Sequence, residues 1–101
     1  MYQPWSETAS PEDLHYLNDN HTRYIIRTFD IDNNICGFVE VHMFNGVECV
    51  GAVNLKGGKW LETSKGWTME GEWPEITLTP SLLCTRCNNH GYIVKGKWVG
   101  C

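Results

Sequence analysis

Residues 37–55 read GFVEVHMFNGVECVGAVNL, and this stretch decides the fold of the chain. Two runs rich in β-branched and aromatic residues flank Asn45 and Gly46. An Asn-Gly pair between two such runs is the strongest short-range signal for a β-hairpin with a two-residue type I′ turn. The sequence therefore predicts a hairpin that turns at these two residues.

The two-residue loop also fixes which residues face each other across this hairpin. One face pairs Phe44 with Val47, His42 with Cys49 and Phe38 with Val53. The opposite face pairs Val41 with Val50 and Val39 with Ala52. Because one face of a hairpin is normally buried, we expect the second of these faces to line the core.

Strand and turn signals alternate along the rest of the chain. Predicted strands are RYIIRTF at 23–29, GWTMEGEW at 66–73 and EITLTP at 75–80, with a last hairpin in GYIVKGKWVGC at 91–101. A turn at 57–58 would let residues 59–61 return along the central hairpin. The sequence thus predicts a mostly β fold, a small antiparallel domain built of hairpins.

The first 21 residues are polar and rich in turn formers. Ser10 followed by Pro11 resembles the start of a helix, with Ser10 as N-cap and Pro11 at the first helical position. This segment is therefore either one short helix or an N-terminal arm. At 101 residues the chain is long enough for a single domain with one modest core, so we expect residues 1–101 to form one domain whose β part is 22–101.

Composition excludes several functional classes. The formal charge is −4 with only 8 lysines and arginines, so no basic face for nucleic acid is expected. Neither a secretory signal nor a run of about 20 apolar residues is present, and we expect a cytoplasmic protein that does not bind membranes. Thiols in that compartment stay reduced, which favours metal binding over disulfides for clustered cysteines.

Residues 84–91 read CTRCNNHG, and the last residue of the chain is Cys101. If the final hairpin turns at residues 95–96, continuing its register places His90 opposite Cys101. Cys84 and Cys87 have the CxxC spacing that lets two thiolates bind one ion, and His90 follows three residues later.

Together these residues predict a zinc site formed by Cys84, Cys87, His90 and Cys101. Four protein ligands leave no position for a reactive water, so the ion would be structural. It would hold the C-terminal hairpin to the strand before it. Zinc held by only part of this set, a CxxC redox pair and free cysteines are the alternatives.

A second group of potential ligands lies on the central hairpin. His42 and Cys49 face each other in its register, and Cys36 lies on the strand that enters it. These three residues could form another ligand group or a Cys-His nucleophile pair, and the simpler interpretation is a half-buried cross-strand pair.

Two other patterns have structural interpretations. Residues 30–34 begin like a calcium loop, but Ile35 and Val41 occupy its glycine and glutamate positions, so a hairpin turn is predicted instead. Four tryptophans could line an aromatic groove or belong to the core, and we favour the core. They are Trp60, Trp67, Trp73 and Trp98.

Residues 66–101 resemble a family of short phage and bacterial proteins. The shared pattern is a Trp strand, a P-T-L-S-P-S stretch, a Cys-containing turn ending in His-Gly, and a final I-x-x-G-K-W hairpin. The corresponding residues here are Trp67, 76–81, Cys84, Cys87, His90-Gly91 and 93–98. The resemblance implies a small zinc-binding β domain, in some bacteria encoded beside ubiquitin-like conjugation genes. Many members also carry a C-P-x-C motif on an early strand, where this sequence has only Cys36 and Cys49.

The function that the sequence favours is that of a non-enzymatic, zinc-stabilised domain that binds a protein partner, in particular a phage accessory protein acting on a host factor. The alternative is a metal- or thiol-dependent enzyme that uses His42, Cys49 and Cys36, with zinc as its scaffold.

Overall fold

The computed structural model describes residues 4–56 and 66–101, which form two four-stranded antiparallel sheets. The first sheet contains β1 (Leu14–Tyr16), β2 (Arg23–Phe29), β3 (Ile35–Phe44) and β4 (Val47–Asn54), in that order. The second contains β5 (Thr68–Glu70), β6 (Thr77–Leu83), β7 (His90–Val94) and β8 (Lys97–Gly100), also in chain order. Both sheets are meanders, so the predicted mostly β, antiparallel fold is confirmed.

The N-terminal segment forms two single 3₁₀ turns, Trp5–Glu7 and Pro11–Asp13, within the described residues. The second begins where the helix start was predicted, with the Asp13 N–H donating to the Ser10 carbonyl at 2.9 Å. The Ser10 side chain makes no capping hydrogen bond. The turn gives way at once to β1, which pairs with β2. Residues 14–16 therefore pair as a strand instead of continuing the helix that Ser10 and Pro11 could have started.

The central hairpin has the predicted turn and register. Asn45 and Gly46 have φ values of 52° and 75°, as a type I′ turn requires. The pairings run from Phe44 opposite Val47 to Phe38 opposite Val53, with His42 opposite Cys49. The turn predicted at residues 30–34 is also confirmed, since it joins β2 to β3.

The face of this hairpin that lines the main core is the opposite of the predicted one. Phe38 and Val53 are each 2% exposed and pack with residues of the second sheet such as Leu78 and Ile93. Val50, on the predicted core face, is 46% exposed. The second sheet packs on the Phe38 face and thus decides which face is buried. Val41, on the same face as Val50, is buried in a second, smaller cluster with Tyr24 and Ile26. That face of the hairpin is therefore only partly covered.

A bulge interrupts the second sheet in the middle of β6. Leu78 pairs with Ile93 and Leu82 with Gly91, so residues 79–81 lie opposite Tyr92 alone. Pro80 lies within this bulge, where its missing N–H costs no ladder hydrogen bond. Bulges redirect the side chains that they carry, and this one contains Ser81.

The final hairpin also follows the predicted register. Lys95 and Gly96 have φ values of 48° and 76°, and Val94 faces Lys97. At the open end the Cys101 N–H donates to the His90 carbonyl at 3.0 Å, which confirms that these residues lie opposite each other. Three tryptophans pack against the main core as expected, namely Trp67, Trp73 and Trp98. The turn at 57–58, the returning strand at 59–61 and Trp60 lie outside the described residues.

Candidate functional site

Four potential metal ligands meet where the central hairpin approaches the turn between β6 and β7. They are His42, Cys49, Cys84 and Cys87, and their ligand atoms all lie within 4.8 Å of one another. His42 and Cys49 are buried, and the other two are half-buried. His42 Nε2 lies 3.2 Å from Cys87 Sγ. This cluster could hold a metal ion.

Local structure brings each of these residues to the cluster. His42 and Cys49 are directly opposed on β3 and β4, where side chains on one face lie about 5 Å apart. In the turn after β6, the Asn88 N–H donates to the Cys84 carbonyl at 2.7 Å, and the Cys84 N–H donates to the Asn89 carbonyl at 2.9 Å. These bonds curl the CxxC segment so that both thiols face the hairpin.

The chemistry of the donor set fits a divalent metal. Three thiols and one imidazole form a Cys₃His set, which suits tetrahedral zinc and leaves no open coordination position. Burial tends to raise the pKa of Cys84, but hydrogen bonds from the Cys87 backbone and side chain, the Arg86 backbone and His42 lower it to about 7. Cys84 is thus readily available as a thiolate, the form that binds metals. Burial raises the pKa of Cys49, so a metal ion that binds this thiol would have to displace its proton.

A carboxylate orients His42 by binding the ring nitrogen that faces away from the thiols. Glu40 Oε2 lies 2.8 Å from His42 Nδ1, so this ring nitrogen donates to the carboxylate and leaves Nε2 free to face the thiols. Glu40 is itself bound by Arg23 at 3.1 Å. Such a carboxylate–histidine pair fixes the tautomer and direction of a metal ligand.

The cluster differs from the predicted ligand set in two of its four members. Cys84 and Cys87 belong to it, whereas His90 and Cys101 are not part of it and His42 and Cys49 take their places. His90 and Cys101 are adjacent as predicted, but both are exposed on the outer face of the second sheet. Within the described residues the cluster links the two sheets and does not close the C-terminal hairpin.

Cys36 is also outside the cluster. It is buried, and its Sγ lies 3.7 Å from Thr28 Oγ1 on the neighbouring strand. The predicted nucleophile group of His42, Cys49 and Cys36 is therefore divided, because two of its members are in the metal cluster and the third packs elsewhere.

A serine and a histidine form a close pair a short distance along the second sheet. His90 Nε2 lies 2.6 Å from Ser81 Oγ. His90 is the first residue of β7 and pairs with Leu83. Ser81 lies in the β6 bulge, directly beyond the next pair of the ladder. The imidazole is exposed and the serine half-buried, so substrate can reach both. Among the described residues, no side chain bonds the other ring nitrogen of His90.

A short Ser-His hydrogen bond is the basic unit of a serine nucleophile. When His90 carries its proton on Nδ1, Nε2 accepts the hydrogen bond from the Ser81 hydroxyl and can remove its proton during attack. The separation of 2.6 Å is within the range required for that transfer.

A family described as BubE, bacterial ubiquitination-like system serine protease, matches residues 9–101. The chain belongs to the BubE family. The matched residues include both the metal cluster and the Ser81–His90 pair, and the family is described as part of a bacterial ubiquitination-like system. No curated protein and no solved structure matches this chain.

The sequence carries no local signal for Ser81 and only a weak one for His42 and Cys49 as metal ligands. Ser81 lies in residues 76–81, part of the segment that resembles the family, but no local motif such as GxSxG accompanies it. Its contact with His90 depends on a bulge between two strands. The signal for His42 and Cys49 was their pairing in the hairpin register together with the early-strand motif of similar proteins. Within residues 4–56 and 66–101, no helix is long and apolar enough to cross a membrane.

Proposed function

We propose that this protein is a serine peptidase in which Ser81 is the nucleophile and His90 is its general base. The observation that carries the proposal is the 2.6 Å contact between Ser81 Oγ and His90 Nε2 on an exposed sheet face. The description of the BubE family as a serine protease supports it.

The two residues account for both halves of peptide-bond hydrolysis. Ser81 Oγ bonds to the substrate carbonyl carbon while its proton passes to His90 Nε2. The C–N bond then breaks as His90 returns that proton to the leaving nitrogen. Water attacks the resulting acyl-enzyme by the same route, with His90 again taking the proton, and Ser81 is released as the free hydroxyl.

We further propose that zinc occupies the cluster of His42, Cys49, Cys84 and Cys87 and has a structural role. Its closed Cys₃His set would not activate water, but it would fix the turn that leads into β7. That turn lies between Leu83 and His90, so the ion would hold the start of the strand that carries the general base.

The substrate proposed here is a protein of the ubiquitination-like system named in the family description. Binding to a protein partner, which the sequence predicts, is part of this function, because a peptidase must bind its protein substrate. A phage origin and a cytoplasmic location stay predictions from the sequence.

The test is proteolysis of fluorescently labelled casein by the purified protein and three variants. Ser81→Ala and His90→Ala should each reduce the rate on the order of 10⁴-fold, since the two groups act as one unit. Ser10→Ala is the matched control, because Ser10 is exposed and its side chain makes no capping hydrogen bond. Equal rates for the wild-type protein and Ser81→Ala would overturn the assignment.

A further inference from the structure

A buried arginine contacts Asn89, which precedes His90, and Trp98, which covers Gly91 after it. Arg23, the first residue of β2, is 8% exposed and has three partners. They are Glu40, Asn89 and Trp98. We infer that Arg23 is a positioning residue that holds His90 in line with Ser81, an inference that rests on the proposed roles of these two residues.

The first contact fixes the residue before His90. Arg23 Nη2 donates to Asn89 Oδ1 at 2.5 Å. The Asn89 carbonyl also accepts the Cys84 N–H at 2.9 Å, so the side chain and the backbone of Asn89 are both held. Asn89 is otherwise exposed, and the arginine is its side-chain anchor among the described residues.

The second contact fixes the residue after His90. The guanidinium carbon of Arg23 lies 3.7 Å from the centroid of the Trp98 ring, a cation–π contact. Trp98 in turn covers Gly91 so closely that a Cβ at this position would lie 2.4 Å from a carbon of the indole. Gly91 is thus held against an indole ring that Arg23 contacts on its face.

The third contact anchors the arginine itself. Arg23 Nη1 donates to Glu40 Oε2 at 3.1 Å, and the same carboxylate orients His42 of the metal cluster. Burial lowers the pKa of Arg23, and the neighbouring Glu40 carboxylate acts against that shift. A buried charge is costly to leave unpaired, so the guanidinium is confined to one position.

These contacts constrain the backbone of His90 from both sides, while its imidazole remains exposed. Within the described part of the chain, no side chain bonds the other ring nitrogen of His90. The short hydrogen bond to Ser81 therefore depends on the position of the His90 backbone. Misplacement of a catalytic group by about 1 Å can cost about 100-fold in rate. Arg23 therefore affects the chemical step without touching substrate.

The experiment compares Arg23→Met and Asn89→Ala with wild-type protein in two assays. Hydrolysis of p-nitrophenyl acetate gives kcat and KM, and a fluorophosphonate gives the rate of covalent labelling of Ser81. Arg27→Met is the matched control for Arg23, because Arg27 also has a carboxylate partner and aromatic contacts but lies away from His90. Metal content and melting temperature are measured for every variant.

We expect Asn89→Ala to lower kcat and the labelling rate at least tenfold, with KM within about threefold of wild type and metal retained. Asn89→Asp keeps the acceptor oxygen and should restore most of the rate. Arg23→Met should lower both rates by about 100-fold, while Arg27→Met leaves them unchanged.

Two outcomes would overturn the inference, and they are distinguishable. If Ser81 is labelled in wild type and both Asn89→Ala and Arg23→Met retain full rates, Arg23 does not position His90, although the proposed peptidase stands. If wild type itself is neither labelled nor active on the ester, the proposed function fails and the positioning role fails with it.

Discussion

Replacing Cys49 by serine should remove most of the stability that a bound metal gives this protein. Serine has nearly the same volume as cysteine, so the change removes a thiolate and leaves little cavity. A ligand at about 1,000 times its Kd stabilises a fold by about 4 kcal/mol. For a chain of 101 residues, each kcal/mol corresponds to roughly 4–8 °C of melting temperature. Loss of the ion should therefore lower the melting temperature by roughly 15–30 °C.

The assay is differential scanning calorimetry with metal content measured on the same samples, before and after treatment with a chelator. Cys101→Ser is the matched control, because Cys101 is exposed and outside the cluster. It should keep its metal and its melting temperature. The reasoning is refuted if Cys101→Ser loses the metal while Cys49→Ser retains it, since the ligand set first predicted from the sequence would then be the real one.

The remaining predictions concern the turn, the carboxylate behind the cluster and the thiols. Gly46→Val should destabilise the fold by about 2 kcal/mol in urea unfolding, because a β-branched residue is strained at a φ of 75°. Steric clash does not contribute, since a side chain there meets no atom within 4 Å. Gly51→Ala, at an equally open position without such a φ, should unfold at an unchanged urea concentration. Glu40→Gln should weaken zinc retention about 10- to 100-fold in competition with a chelator, and unchanged retention would exclude an orienting role. In metal-free protein, iodoacetamide should modify Cys84 before Cys49, with a midpoint near pH 7, since the pKa of Cys84 is lowered to about 7 and that of Cys49 is raised.

The parts of the fold that depend on local backbone chemistry could be predicted from the sequence. Asn45-Gly46 and Lys95-Gly96 each determine a two-residue turn, and the turn determines the register of the strands on both sides. The register then places Cys49 opposite His42 without any knowledge of the rest of the chain. Such local signals act over a few residues and need no tertiary contact.

Contacts between the two sheets could not be predicted in this way. The choice of the Phe38 face for the core depends on the second sheet, whose position no local signal determines. The same is true of the cluster, in which Cys87 lies 45 positions from His42 along the chain. Register correctly placed His90 opposite Cys101. Their role as zinc ligands stays a prediction from the sequence.

The Ser81–His90 pair shows a third limit. Two extra residues in β6 shift its alignment with β7, and a strand pattern read from the sequence does not reveal a bulge. The sequence alone therefore gives no signal that Ser81 lies beside His90.

The proposed nucleophile is tested most directly by locating the site of covalent modification. The purified wild-type protein is treated with a fluorophosphonate, which forms a phosphorus–oxygen bond to an activated serine and releases fluoride, and is then digested and mapped by mass spectrometry. A single adduct on Ser81 that is lost in His90→Ala is the result predicted by the 2.6 Å contact between these residues. An unmodified Ser81 in folded, metal-loaded protein, or an adduct on another serine, would contradict the proposed mechanism.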